Sequence, residues 1–155
     1  MRRPQPAEEY VTIVDNKGRE RIQCIEYTVT DVRGETVYVT VDGLAYARDS
    51  LARKGQDHIL RVFDRIPAIL THPEIVICDH QSPEDTLIYY KSMYIPTVAR
   101  HQLVCIVVKV RRGIRYLYNF FVQQSGKVKG YREVTPPEIW YIAPGKKPRH
   151  YGLPG

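Results

Sequence analysis

The run Leu103-Val104-Cys105-Ile106-Val107-Val108-Lys109-Val110 constrains this chain more than any other feature. It is almost continuously apolar and rich in β-branched residues, so it reads as a strand. A strand without polar alternation has no face to give to water. Both of its faces must be covered, and it must lie inside a sheet. Arg111-Arg112-Gly113 then supplies a tight turn into Ile114 to Gln123. Two apolar runs joined this way predict an antiparallel hairpin at the centre of the domain. The rest of the chain has to provide flanking strands and a layer on each side.

Those flanking elements read in order. Residues 1–9 are Pro-rich and polar and predict a frayed arm. Tyr10 to Val14, Arg21 to Thr30 and Glu35 to Val41 predict three strands. The turns Asp15-Asn16-Lys17-Gly18 and Arg33-Gly34 join them into an antiparallel meander. The period then changes. Leu44, Ala47, Leu51 and Ala52 follow helical spacing over residues 43–54, with Asp42 as N-cap and Gly55 as stop. A second helix is expected from Asp57, with Ile59, Leu60, Val62, Phe63 and Ile66 as its stripe, until Pro67 breaks or re-aims it. Ile75 to Cys78 and Thr86 to Lys91 predict further strands, and Lys127 to Glu133 an edge strand. Trp140-Tyr141-Ile142 is expected to pack back onto the domain. The expected class is α+β. A β-meander over residues 1–45, which can pack into the same domain, precedes a stretch over residues 46–142, built of two helices and a four-stranded antiparallel sheet. Residues 143–155 are expected to be a flexible basic tail.

A chain of 155 residues buries about 70% of its unfolded surface on folding and needs no metal or disulfide staple. Cys24, Cys78 and Cys105 are isolated in apolar stretches without CxxC spacing. They read as buried free thiols of a reducing compartment, so a cytoplasmic location is expected. No run approaches the roughly 18 apolar residues of a membrane span, and no membrane partner is expected. The formal charge of +6 is uneven. Residues 100–155 hold eleven Lys and Arg against two Glu, a net +9, which leaves −3 for residues 1–99. That asymmetry predicts a polyanionic partner, most simply nucleic acid. The GxxxxGK[ST], GxGxxG, GxSxG and HExxH signatures are absent, and no cofactor or metal site is expected. Asp79-His80 reads as a solvated turn, His72 as a helix end, and Arg100-His101 as a strand start that can flank a site.

A further pattern lies in the order of short motifs. Gln56-Asp57-His58-Ile59-Leu60-Arg61 opens a helix with a histidine. Leu70-Thr71-His72-Pro73-Glu74-Ile75 passes through proline into an extended segment. Thr86-Leu87-Ile88-Tyr89-Tyr90-Lys91 ends on an aromatic–lysine pair. The apolar strand and its basic turn then lead to Tyr116-Leu117-Tyr118-Asn119-Phe120-Phe121. In this order, residues 56–125 resemble the phage-associated members of the barnase–EndoU–colicin–RelE (BECR-fold) nuclease superfamily. The sequence departs from that pattern at Asn119, where a Thr is expected. The resemblance makes the stretch over residues 46–142 nuclease-like and implies an RNA endonuclease of the toxin or mobile-element kind, with His58, Lys91 and Asn119 at its catalytic cleft.

Metal-independent RNA cleavage uses the 2′-hydroxyl as an internal nucleophile. A base takes its proton, an acid protonates the leaving 5′-oxygen, and cations stabilise the crowded phosphate. His58 suits the acid–base role, because histidine titrates near neutrality without special tuning. Arg61 and Arg65 follow it at helical spacing, and Lys91 can bind phosphate from the sheet. Strict alternation along the last strand would put Arg115, Asn119 and Gln123 on one face with Leu117 and Phe121. Arg61, Arg100, Arg111, Arg112 and Arg115 are the expected substrate-binding cations. RNA is the expected partner, and the toxin reading adds a cognate inhibitor protein. Two other functions compete: a catalytically inactive nucleic-acid-binding module, and a protein–protein adaptor whose meander edge accepts a strand.

Overall fold

The computed structural model describes residues 9–56, 63–79, 85–123 and 138–153. The hairpin read from the sequence is its centre. Strand β6 (Arg100–Arg111) pairs antiparallel with β7 (Ile114–Gln123) on one side and with β5 (Thr86–Ile95) on the other. The turn between β6 and β7 is made by Arg112 and Gly113, both at positive φ. Beyond β5 lie β4 (Ile75–Asp79) and then β8 (Glu138–Ile142), each antiparallel to its neighbour. Beyond β7 lies β3 (Thr36–Thr40), then β2 (Glu20–Thr30) and β1 (Tyr10–Val14). The sheet order is β1-β2-β3-β7-β6-β5-β4-β8.

The expected division into a meander and a separate four-stranded sheet is therefore wrong. All eight strands belong to one mixed sheet, joined where β3 runs parallel to β7 through Val37↔Arg115 and Tyr38↔Tyr116. Val37 and Val39 are wholly buried at this seam. An apolar strand beside an open sheet edge closes that edge, because unpaired backbone groups there would otherwise recruit another chain. Periodicity reveals each strand but carries no information about which edges meet.

Helix α1 (Val41–Arg53) follows β3 directly. Its N-cap is Thr40 rather than the expected Asp42: the Thr40 hydroxyl accepts from the Gly43 amide at 2.9 Å. Gly43 also lets the helix approach β7, since a Cβ there would lie 2.9 Å from the Leu117 carbonyl oxygen. Most of the helix expected from Asp57 falls outside the described residues. Residues 63–65 form a 3-10 turn, and α2 (Ile66–Thr71) begins at the residue before Pro67. The proline does not end the helix; it sits in the first turn, where its missing N–H costs nothing.

The sheet separates two apolar layers. Val104, Ile106 and Val108 of β6 face the helices, with Leu51, Ile66, Ile69 and Leu70 packed over them. Leu103, Cys105 and Val107 face the other way, among Ile75, Ile77, Ile88 and Tyr90. Tyr151 and Leu153 close this second layer. The segment expected as a mobile tail thus carries a 3-10 turn, Pro148–Tyr151, and two nearly buried side chains. Its Pro, Gly and basic residues masked that apolar pair. The expected edge strand at Lys127 to Glu133 lies outside the described residues.

Two buried polar contacts fix the frame of the site. Gln56 sits beside β7 and replaces a neighbouring strand. Its side-chain oxygen accepts from the Val122 amide at 2.9 Å, and its side-chain nitrogen donates to the Val122 carbonyl at 3.4 Å. Asp31, in the β2–β3 turn, accepts from the Arg33 and Glu35 amides and from the Tyr89 hydroxyl of β5. In the sheet order β7 and β6 lie between β3 and β5, so this contact requires the sheet to coil.

Candidate functional site: a basic cleft with two histidines

The sites expected from sequence are scattered. His58 and Arg61 lie outside the described residues. Lys91 pairs with Val104 and so belongs to the helix-facing side, where its ammonium donates to the His72 carbonyl at 2.7 Å. Asn119 pairs with Val107 of the opposite layer, and its side-chain oxygen accepts from the Phe120 amide at 2.8 Å. The register therefore sets Lys91 and Asn119 on opposite faces of the sheet. The cause is a bulge in β7. Leu117 pairs with Val108 and Asn119 with Val107, so Tyr118 is the extra residue. Arg115 and Leu117 keep the helix-facing side, while Asn119, Phe121 and Gln123 take the other. Strict alternation had put all five on one face.

The basic turn is also engaged within the molecule. Arg111 is 7% exposed and donates to the Asp85 and Val110 carbonyls at 3.2 Å. Arg112 pairs with Glu20 at 2.7 Å. Arg115 pairs with Glu35 at 3.3 Å, while its Nε is buried without a hydrogen bond. These three arginines tie the β2 and β3 segments and Asp85 to the central hairpin.

Arg100 stands at the other end of β6, about 36 Å away at the rise of an extended strand. There a cleft of about 500 Å³ opens between the start of β6, the end of β7 and the C-terminal segment. Arg100 and His101 enter it from β6, and Lys146 and His150 from the segment after β8. Glu74 organises the junction. Its carboxylate accepts from the Tyr151 hydroxyl at 2.7 Å and from the Ser92 amide at 2.7 Å, with the Lys146 ammonium 3.8 Å away. Burial raises the Tyr151 phenol above its usual range, and the hydrogen bond and charge of Glu74 add to this, so the phenol remains a donor. The Lys147 amide donates to Nδ1 of His150 at 3.3 Å. An accepting Nδ1 places the proton of the neutral ring on Nε2.

A second hollow adjoins the first across β5. It is lined by Asp64, Arg65, Lys91, Met93 and Tyr94 and shares Ser92 with the cleft. The Tyr94 ring stands edge-on to the His101 ring, with centroids 5.6 Å apart. Cations from both hollows thus flank one end of the sheet, with a tyrosine and a histidine between them. Such a row can follow a phosphate backbone and stack an unpaired base.

Lys146, His150 and Tyr151 were missed as site residues because the closing segment reads as solvent-exposed by composition, and Glu74 because it reads only as the start of an extended segment. The available signal was Tyr151 and Leu153, two large apolar side chains in an otherwise polar run. Asp79 was also misread. It ends β4 nearly buried rather than lying in a solvated turn, and His80 is outside the described residues. Among the described residues, no group of three or more His, Cys, Asp or Glu side chains is placed to hold a metal ion. Among the same residues, no helix is long and apolar enough to cross a membrane. No protein-family model, no curated protein sequence and no solved structure matches the chain.

Proposed function

We propose that this protein is an RNA endonuclease that cleaves by 2′-hydroxyl attack in the cleft of His101 and His150. The observation that carries the reading is the meeting of two histidines with Arg100 and Lys146 in that cleft. Transphosphorylation needs two proton carriers and a cation. His101 takes the proton of the 2′-hydroxyl as its oxygen bonds to phosphorus. His150, as the imidazolium with its Nδ1 contact to the Lys147 amide released, delivers its Nε2 proton to the departing 5′-oxygen as the P–O5′ bond breaks and is left as the neutral ring. Arg100 and Lys146 hold the non-bridging oxygens. The products are a 2′,3′-cyclic phosphate and a free 5′-hydroxyl. The toxin-type role implied by the motif order of residues 56–125 calls for the same reaction but assigns it to His58, Lys91 and Asn119; the reaction is kept here and its acid–base pair moves to His101 and His150.

The test is cleavage of a single-stranded RNA by the full chain in EDTA. His101→Ala and His150→Ala should each slow cleavage by roughly 10²–10⁴-fold while RNA binding persists. If His58→Ala abolishes cleavage and the other two variants cut normally, the acid–base pair lies elsewhere. A wild-type protein that binds RNA but never cuts it would favour the inactive binding module.

A further inference from the structure

A separate cleft of about 340 Å³ lies at the far end of the sheet, between the β1–β2 turn, the start of α1 and β7. That is the size of a small-ligand site. Tyr46 of α1 and Tyr118 of β7 form its aromatic wall, with ring centroids 5.4 Å apart and planes tilted by 35°. The turn and the sheet are bonded into one unit: Asn16 Nδ2 donates to the Tyr118 hydroxyl at 2.8 Å, and the Tyr116 hydroxyl donates to the Val14 carbonyl at 2.6 Å. Tyr46 remains 43% exposed.

Three properties select the ligand. The charged side chains of the lining are Asp15, Lys17, Arg19 and Asp42, two of each sign, and Asp15 already accepts from Arg19. The cleft has no excess charge to capture a simple anion or cation. The rings are also backed by cations: the Lys109 ammonium is 4.9 Å from the Tyr118 centroid, and the Arg53 guanidinium is 5.8 Å from that of Tyr46. A ring already facing a cation has less to offer a second one and more to offer an electron-rich ring. Finally, Gln23 uses its oxygen on the Thr40 hydroxyl and Asn16 uses its nitrogen on Tyr118. Their remaining groups are an amide donor and a carbonyl acceptor, the pair that reads the edge of a heterocycle.

We propose that this cleft binds a nucleobase, stacked on Tyr46 and read at its edge by Asn16 and Gln23. The base belongs either to a free mononucleotide or to a single strand. The inference does not rest on the cleavage chemistry, which is placed at the opposite end of β6.

The test is calorimetry and saturation-transfer NMR on the full chain with 5′-AMP, 5′-GMP and ribose 5-phosphate. The nucleotides should bind and ribose 5-phosphate should not. Tyr46→Ala should weaken binding by about tenfold or more, and Tyr46→Trp should restore it. If 5′-AMP does not bind, an oligoadenylate should, with the same response to Tyr46→Ala; that result assigns the base to a strand. Equal binding of ribose 5-phosphate, stronger binding of tetramethylammonium, or indifference of both nucleotide and oligonucleotide to Tyr46→Ala overturns the proposal.

Discussion

Asp15 shows how one half-buried side chain can set the β1–β2 turn. Its carboxylate is held down to about 2, first by the Arg19 amide and then by the Arg21 side chain, the Lys17 amide and the Arg19 guanidinium. A carboxylate with a lowered folded-state value stabilises the fold above its unfolded value of 3.8, and this contribution fades as pH falls through about 2. Asp15→Asn should therefore be less stable than wild type at pH 7, with the gap closing between pH 4 and pH 2 in thermal melts. The thiols make a second residue-scale case. Burial pushes Cys78 up to about 12 and Cys105 well above the usual thiol range. Neither forms thiolate near neutrality, and the thiolate is the reactive form. Titration with a thiol-specific disulfide reagent at pH 8 should leave both unreacted in the native state and modify them after unfolding.

At the scale of elements, α1 is held by a cap and by one close approach. Thr40→Ala removes the hydroxyl that accepts from Gly43 and should cost about 1 kcal/mol. Gly43→Ala pushes a methyl against the Leu117 carbonyl oxygen, a backbone atom that cannot rotate away. It should cost about 1–3 kcal/mol, read from the urea midpoint, although alanine is the better helix former. These contacts also show where sequence reading stopped. Strands Tyr10–Val14 and Ile114–Gln123 have the bounds their patterns indicate, because alternation and turn residues are local signals. The parallel β3–β7 seam left no local signal, since it joins residues 37–38 to residues 115–116. The bulge at Tyr118 left none either, yet it separates Arg115 from Asn119. Of the expected site residues, Lys91 and Arg100 line adjoining hollows, whereas Arg111, Arg112 and Arg115 are held by intramolecular partners. Charge density in a sequence does not say which cations are already spent.

Across the whole molecule, the described cations behind the net +9 of residues 100–155 include Arg111, Arg112 and Arg115 at one end of the central hairpin and Arg100 and Lys146 at the other. At the turn end, Arg112 and Arg115 face Glu20 and Glu35, and Arg111 donates to carbonyls. At the open end, Arg100 and Lys146 line a cleft where Glu74, the one carboxylate among its described lining residues, is shared by Tyr151, the Ser92 amide and the Lys146 ammonium, which leaves Arg100 as the cation without a carboxylate beside it. A polyanion gains more from cations whose fields are not cancelled, so RNA affinity should be set at the open end. Affinity for single strands falls with salt at a log–log slope of about −0.7 per phosphate contacted. Arg100→Ala should flatten the slope by about 0.7, and Lys146→Ala by less, because Glu74 already offsets part of its charge. Arg112→Ala should leave the slope unchanged, because it removes a charge that Glu20 already neutralises. Filter-binding titrations from 50 to 300 mM salt separate the two ends. A slope that responds to Arg112 but not to Arg100 or Lys146 would move the RNA track to the basic turn and remove the histidine cleft from the path of the strand.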